Sequence, residues 1–128
     1  MERVVLGLAS AYGFLAVALG AFGAHGLKGF LASLEDGPQR LAWWQTAAQY
    51  HLAHALALGL VAYVAGRSEG NATWIAAAGF SLGVLFFSGS LYVMTITGTR
   101  WLGAITPIGG LLLLVGWVSL GVAAFQLP

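Results

Sequence analysis

A chain of 128 residues in which 7% are charged and 59% apolar lies far from a soluble domain, where charged residues run near 25%. A formal net charge of +1 offers no basic face for nucleic acid, and the absence of cysteine excludes disulfides, iron–sulfur ligation and thiol chemistry. The few charges leave four uncharged runs, 4–27, 41–66, 70–99 and 101–128, each longer than the ~20 residues needed to cross a hydrocarbon core.

These runs predict one domain, residues 1–128, folded as an all-α integral membrane four-helix bundle in a lipid bilayer. The spans are expected at about 4–25, 41–65, 72–94 and 107–126. Residues 1–24 read as the first span rather than a signal peptide, because the apolar run exceeds the ~7–15 residues of a usual hydrophobic region. Ala16, Gly20 and Ala24 form a small-residue stripe that lets another helix approach closely. Gly20, Gly23, Gly26 and Gly29 loosen the helix end, and His25 sits within that turn.

Leu27, Phe30, Leu31 and Leu34 follow helical spacing, with Lys28, Ser33 and Glu35 on other faces. A short interfacial helix on the membrane surface is the expectation. Asp36-Gly37-Pro38 ends it and opens the second long helix, about 38–65, with Pro38 suited to the first turn. At roughly 42 Å that helix exceeds the bilayer core. Trp43 and Trp44 are expected at headgroup level. His51 and His54 lie about 60° apart on one face, with Gln45 and Gln49 nearly opposite. The histidines are expected inside, alongside Trp43, Ala47 and Tyr50.

Gly66 to Asn71 is a polar turn, and Gly79-Phe80-Ser81-Leu82-Gly83 supplies a GxxxG contact on the third span. The fourth is expected to open with Thr106 as its cap and Pro107 in its first turn. Its free N–H groups offer donors to an anionic group.

Topology gathers the polar residues at one end, because the first and third loops share a side of the membrane. His25, His51, His54, Tyr92, Arg100 and Thr106 are the candidate ligand-binding residues. An intramembrane histidine is by default a pointer to function. A small anionic or amphipathic ligand, or a lipid headgroup, suits that set, and an anion would bind more tightly as falling pH protonates the imidazoles. Three histidines without an intramembrane carboxylate make a poor metal site and supply no triad, so neither a metal, a cofactor nor an enzyme is expected. Two other readings stay open: a structural or assembly subunit with histidines as interhelical glue, and a redox partner holding haem or quinone. Small-residue stripes on all four helices further predict a homo-oligomer.

Gly20-Ala21-Phe22-Gly23-Ala24-His25-Gly26-Leu27, Tyr50-His51-Leu52-Ala53-His54-Ala55-Leu56, Phe87-Ser88-Gly89-Ser90-Leu91-Tyr92 and Ile105-Thr106-Pro107-Ile108-Gly109-Gly110 with Gly116-Trp117 occur in order along nearly the whole chain. Together they resemble the domain of unknown function 423 family, small multi-span membrane proteins related to human transmembrane protein 256. The resemblance implies four helices and residence in the bacterial inner membrane as a multi-pass protein. It implies no activity and no catalytic residues. Lys28, Arg40 and Arg100 against Arg3 and Arg67 orient the first and third loops toward the cytoplasm.

Overall fold

A computed structural model describes all residues, Met1–Pro128, as helices joined by short turns. They are α1 (Glu2–Ala24), α2 (Gly26–Leu31), α3 (Gly37–Ala65), α4 (Ala72–Thr97) and α5 (Thr106–Ala124), with a 3-10 turn at Arg100–Ala104. Glu2–Ala24, Ala72–Thr97 and Arg100–Ala124 are long and apolar enough to cross a membrane. The sequence reading gave four spans. α3 has the length, 29 residues, but Gln39, Gln45, Gln49, His51 and His54 dilute its hydropathy.

The long helices run antiparallel in sequence order: α1 packs on α3, α3 on α4 and α4 on α5. α1 and α5 lack the extended interface that would close a square bundle, so the four form an open row. α3 and α4 are the middle of that row. Ala57, Leu58, Val61 and Ala62 of α3 meet Ala76, Ala77, Phe80 and Val84 of α4 in the main core, with Val5 of α1 and Leu113 of α5 joining from the flanks. The outer helices turn Phe14 and Val17, and Leu111, Leu114 and Val118, outward, as lipid-facing surface requires.

Close approach decides where glycine is needed. A Cβ at Gly79 would lie 2.9 Å from the Gly116 nitrogen and 2.9 Å from the Leu112 oxygen, and one at Gly109 would strike the Phe87 backbone. Both positions let α4 and α5 meet backbone to backbone, the role expected of small residues in membranes. Gly13 and Gly20 on α1 face open space instead.

The ends depart from expectation for local reasons. Trp44 is buried rather than at the headgroups, its Nε1–H donating to the Leu19 oxygen at 2.8 Å, and its ring fills the space that Gly23 leaves on α1. α2 is only six residues, and it tucks Leu27 and Leu31 under the row against Trp44 while Phe30 stays exposed. Asp36 precedes α3 but makes no side-chain cap. Its carboxylate accepts instead from Arg40 Nε at 3.1 Å, with Arg100 Nη2 at 3.5 Å. Thr106 opens α5 without capping it. The termini share the other end, where Thr73 Oγ1 donates to Met1 Sδ at 3.4 Å and Gln126 lies beside Gly70.

Two outcomes follow from this packing. Gly79→Val or Gly109→Ala should destabilise the protein by about 1–3 kcal/mol by prying α5 from α4, whereas Gly13→Ala and Gly20→Ala should not destabilise the single chain; thermal unfolding in detergent distinguishes the pairs. The hydrogen bond from Arg40 holds the Asp36 carboxyl below its ordinary 3.8. A depressed carboxylate contributes stability that is present above the unfolded pKa and lost as pH falls through the folded one. Melting temperature should therefore drop more for the wild type than for Asp36→Asn between about pH 5 and pH 2, and equal drops would show the brace is inert.

Candidate functional site

α3 places His51 and His54 on its inner face with Ala47, Ala55 and Leu58, and they are 4% and 6% exposed. Gln45 and Gln49 are exposed, as their opposite phase requires. Tyr50 departs from the expected inward set: it is 42% exposed, with its ring against Phe87. The two imidazoles meet different neighbours, and those of His54 fix its proton.

His54 is fully used. Its Nδ1 lies 2.7 Å from the Tyr50 carbonyl oxygen, which can only accept, so Nδ1 carries the proton. Nε2 then accepts the Trp117 indole N–H at 3.0 Å. This neutral ring ties α3 to α5 and packs edge-on to Trp117 and beside Phe80. It lies at the floor of an outer groove of about 430 Å³ between α3 and α5, but it has no polar atom left to offer there.

His51 is half used. Its Nδ1 lies 3.0 Å from the Tyr92 hydroxyl. Hydroxyl and ring nitrogen share one proton across this contact, either of them able to donate it. Nε2 is buried without a hydrogen-bond partner; the Tyr12 main chain faces it from α1 without reaching bonding geometry. An unpaired buried ring nitrogen costs about 1–3 kcal/mol.

His51 lines a groove of about 150 Å³ between α1 and α4. Leu15 and Leu19 form one wall, Val84 and Leu85 the other, and Gly89 leaves the passage open near Tyr92. No charged residue lines it. Its other hydroxyl protons are committed: Tyr12 donates to the Ser81 oxygen at 2.9 Å and Ser88 to the Ala47 oxygen at 2.8 Å. The groove thus presents an apolar lining, with its polar groups turned into the protein. Leu15 and Leu85 are exposed at its mouth, so it opens sideways between α1 and α4.

The sequence gathered six candidates at one end, and the structure joins two of them, His51 and Tyr92. Thr106 pairs with Ser90, Oγ to Oγ at 2.7 Å, binding α5 to α4. Arg100 is 59% exposed along its side chain, with Nη2 3.2 Å from Gln39 Oε1 and its guanidinium beside Trp43. His25 is exposed at the break between α1 and α2. Tyr12 and Trp117 complete the two histidine environments and were absent from the sequence candidates. Each looked like one aromatic among many, and only its depth along the helix pairs it with an imidazole.

Comparison with known proteins agrees with the resemblance read from the motifs. The family model described as protein of unknown function (DUF423) matches residues 19–110. The UPF0382 membrane protein YwdK of Bacillus subtilis is 42% identical over 96% of this chain and 95% of its own length. A UPF0382 membrane protein of Staphylococcus haemolyticus is 43% identical, over 88% of this chain and 87% of its own. One from Haemophilus influenzae is 38% identical, over 98% and 97%. No solved structure matches.

The pairing of His54 with Trp117 gives a direct test. His54→Leu should cost about 1–3 kcal/mol, because the indole N–H is left unpaired. A double-mutant cycle with Trp117→Phe should show coupling near 0.6 kcal/mol, typical of interhelical bonds in membranes. Additive effects in that cycle would mean the bond contributes nothing.

Proposed function

This chain belongs to the DUF423 family, and for it we propose a non-enzymatic binding module of the membrane whose site is the groove between α1 and α4. One observation carries the reading. His51, buried and bonded to Tyr92, stands in the lining of a passage whose open surface is apolar and reachable from the side. An intramembrane histidine points to function, and a laterally open apolar cleft beside one is a place for a ligand.

The bilayer reaches the groove from the side, so the ligand is lipid-soluble. With Arg100 at the exposed end and no cation in the walls, the groove favours a neutral amphipathic molecule over an anion. In this reading α3 is the fourth span, its two histidines sheltered by α1, α4 and α5. The end bearing Lys28, Arg40 and Arg100 faces the cytoplasm of a bacterial cell, and the protein resides in the inner membrane. Gly13 and Gly20, open on the flank of α1, suit packing against a second copy.

The structural reading has support of its own at His54, whose two filled nitrogens make it interhelical glue. It accounts for that histidine and not for His51.

A long-chain alcohol bearing a diazirine tests the binding role. On irradiation in vesicles it should label Leu15, Leu85 or Tyr92, and Gly89→Leu, which fills the passage, should reduce that labelling to the level of the lipid-facing helices. Labelling that is uniform along α1 and α5 and indifferent to Gly89→Leu would remove the groove from consideration.

A further inference from the structure

Resting on the reading of α3 as a span, and independent of the groove, we infer that the outer face of α3 is the seam of a parallel homodimer. The carboxamides of Gln45 and Gln49 close it by hydrogen bonding to those of a second copy. Both side chains are exposed and neither bonds another group of the chain, whereas Gln39 accepts from Arg100. The exposed hydroxyls of the other long helices have partners: Ser10 of α1 turns back to the Leu6 oxygen at 2.9 Å, and Thr97 of α4 to the Val93 oxygen at 2.7 Å. A hydroxyl satisfies itself on its own helix in this way. The two carboxamides of α3 do not, and they look outward.

Depth makes the outward direction costly without a partner. Arg40 and Arg67 mark the charged ends of α3, roughly 40 Å apart along its axis. A hydrocarbon core about 30 Å thick, centred between them, leaves Gln45 roughly 2 Å and Gln49 roughly 8 Å below its edge. An acyl chain offers Gln49 nothing to bond, and an unpaired amide in hydrocarbon is expensive. Gln45, Gln49, Leu52, Leu56 and Gly59 stand four and three residues apart in turn, the spacing of a seam between two helices. No atom lies within 4 Å of where a Cβ on Gly59 would sit, so a second backbone can approach there. Copies in one membrane run parallel, and in a parallel pair equivalent seam positions face each other. A carboxamide both donates and accepts, so each glutamine is complementary to its own counterpart. That self-complementarity selects a second copy as the occupant.

The test uses the full chain in phosphatidylcholine vesicles. Energy transfer between donor- and acceptor-labelled copies, followed as the protein is diluted with lipid, gives a dissociation constant. Gln49→Leu should weaken the dimer about threefold, and Gln45→Leu with Gln49→Leu about tenfold, the worth of one and two interhelical bonds. Gln49→Asn, which keeps the amide, should retain more of the association than Gln49→Leu. Leucine suits a lipid-facing helix, so these variants should keep the helix content of the wild type by circular dichroism. The chain has no cysteine of its own, which makes single-cysteine variants specific reporters. Copper-phenanthroline oxidation should join Gln49→Cys and Leu56→Cys into disulfide dimers and leave Phe14→Cys and Val118→Cys as monomers.

If the leucine variants leave the dissociation constant unchanged, the amides are satisfied at the headgroups and the inference falls. It falls equally if the wild type gives no energy transfer above that of dispersed monomers. A dimer that Gly13→Leu or Gly20→Leu disrupts and Phe14→Cys crosslinks belongs to the flank of α1, and that result also overturns the seam on α3. In each of these cases Leu56→Cys, near the middle of the span, should stay closed to a charged maleimide, and α3 remains a span. Labelling of Leu56→Cys by that reagent overturns the span and the inference together.

Discussion

The fold depends on satisfying the buried polar groups of α3 from the helices packed beside it. Of the long helices α3 is the most polar, and it has neighbours on both sides. A helix supplies its own backbone with hydrogen bonds, but its side chains must find partners on the helices beside it. Trp44 reaches the Leu19 carbonyl on α1, and Ser88 of α4 reaches the Ala47 carbonyl. The Thr95 hydroxyl of α4 lies 3.1 Å from the Arg40 carbonyl, the Tyr92 hydroxyl pairs with His51 Nδ1, and Trp117 of α5 donates to His54. These bonds run from one end of α3 toward its middle. Beyond Leu58 the interface becomes purely apolar, with Val61 and Ala62 against α4. One half of the row is therefore specified by hydrogen bonds and the other by shape.

Shape also explains why the row stays open. α4 and α5 meet at glycines, so their backbones approach closely, whereas α1 meets α3 through an inserted indole ring. With α1 and α5 on opposite flanks, spaces remain on both sides of the central pair. The groove beside α1 and the groove beside α5 are direct consequences. A closed bundle would have filled both with side chains.

The two histidines show how little residue type alone decides. They stand three positions apart on one helix face and are buried alike. Yet one has a carbonyl and an indole N–H as neighbours, and the other a single hydroxyl. The first is locked as a neutral Nδ1–H ring and binds helices together. The second is bonded through Nδ1 to the Tyr92 hydroxyl and keeps an unpartnered Nε2 buried behind an apolar passage. In a low-dielectric setting the difference between a satisfied and an unsatisfied nitrogen outweighs any difference in depth.

Sequence alone determined the helical class, the element order, the pairing of the first and third loops at one end and the inward face of α3, because apolar run length and the 3.6-residue period act locally. Pro38 and Pro107 marked two helix starts for the same reason. It did not determine that Asp36 would bond Arg40 instead of capping α3, or that Thr106 would bond Ser90 instead of capping α5. Each such choice compares a local partner with one brought from far along the chain. The open order of the row, the burial of Trp44 and the separation of Arg100 from the histidines were likewise tertiary outcomes. So was the division of roles between His51 and His54, since a histidine's proton follows whichever atoms the fold sets beside its two nitrogens.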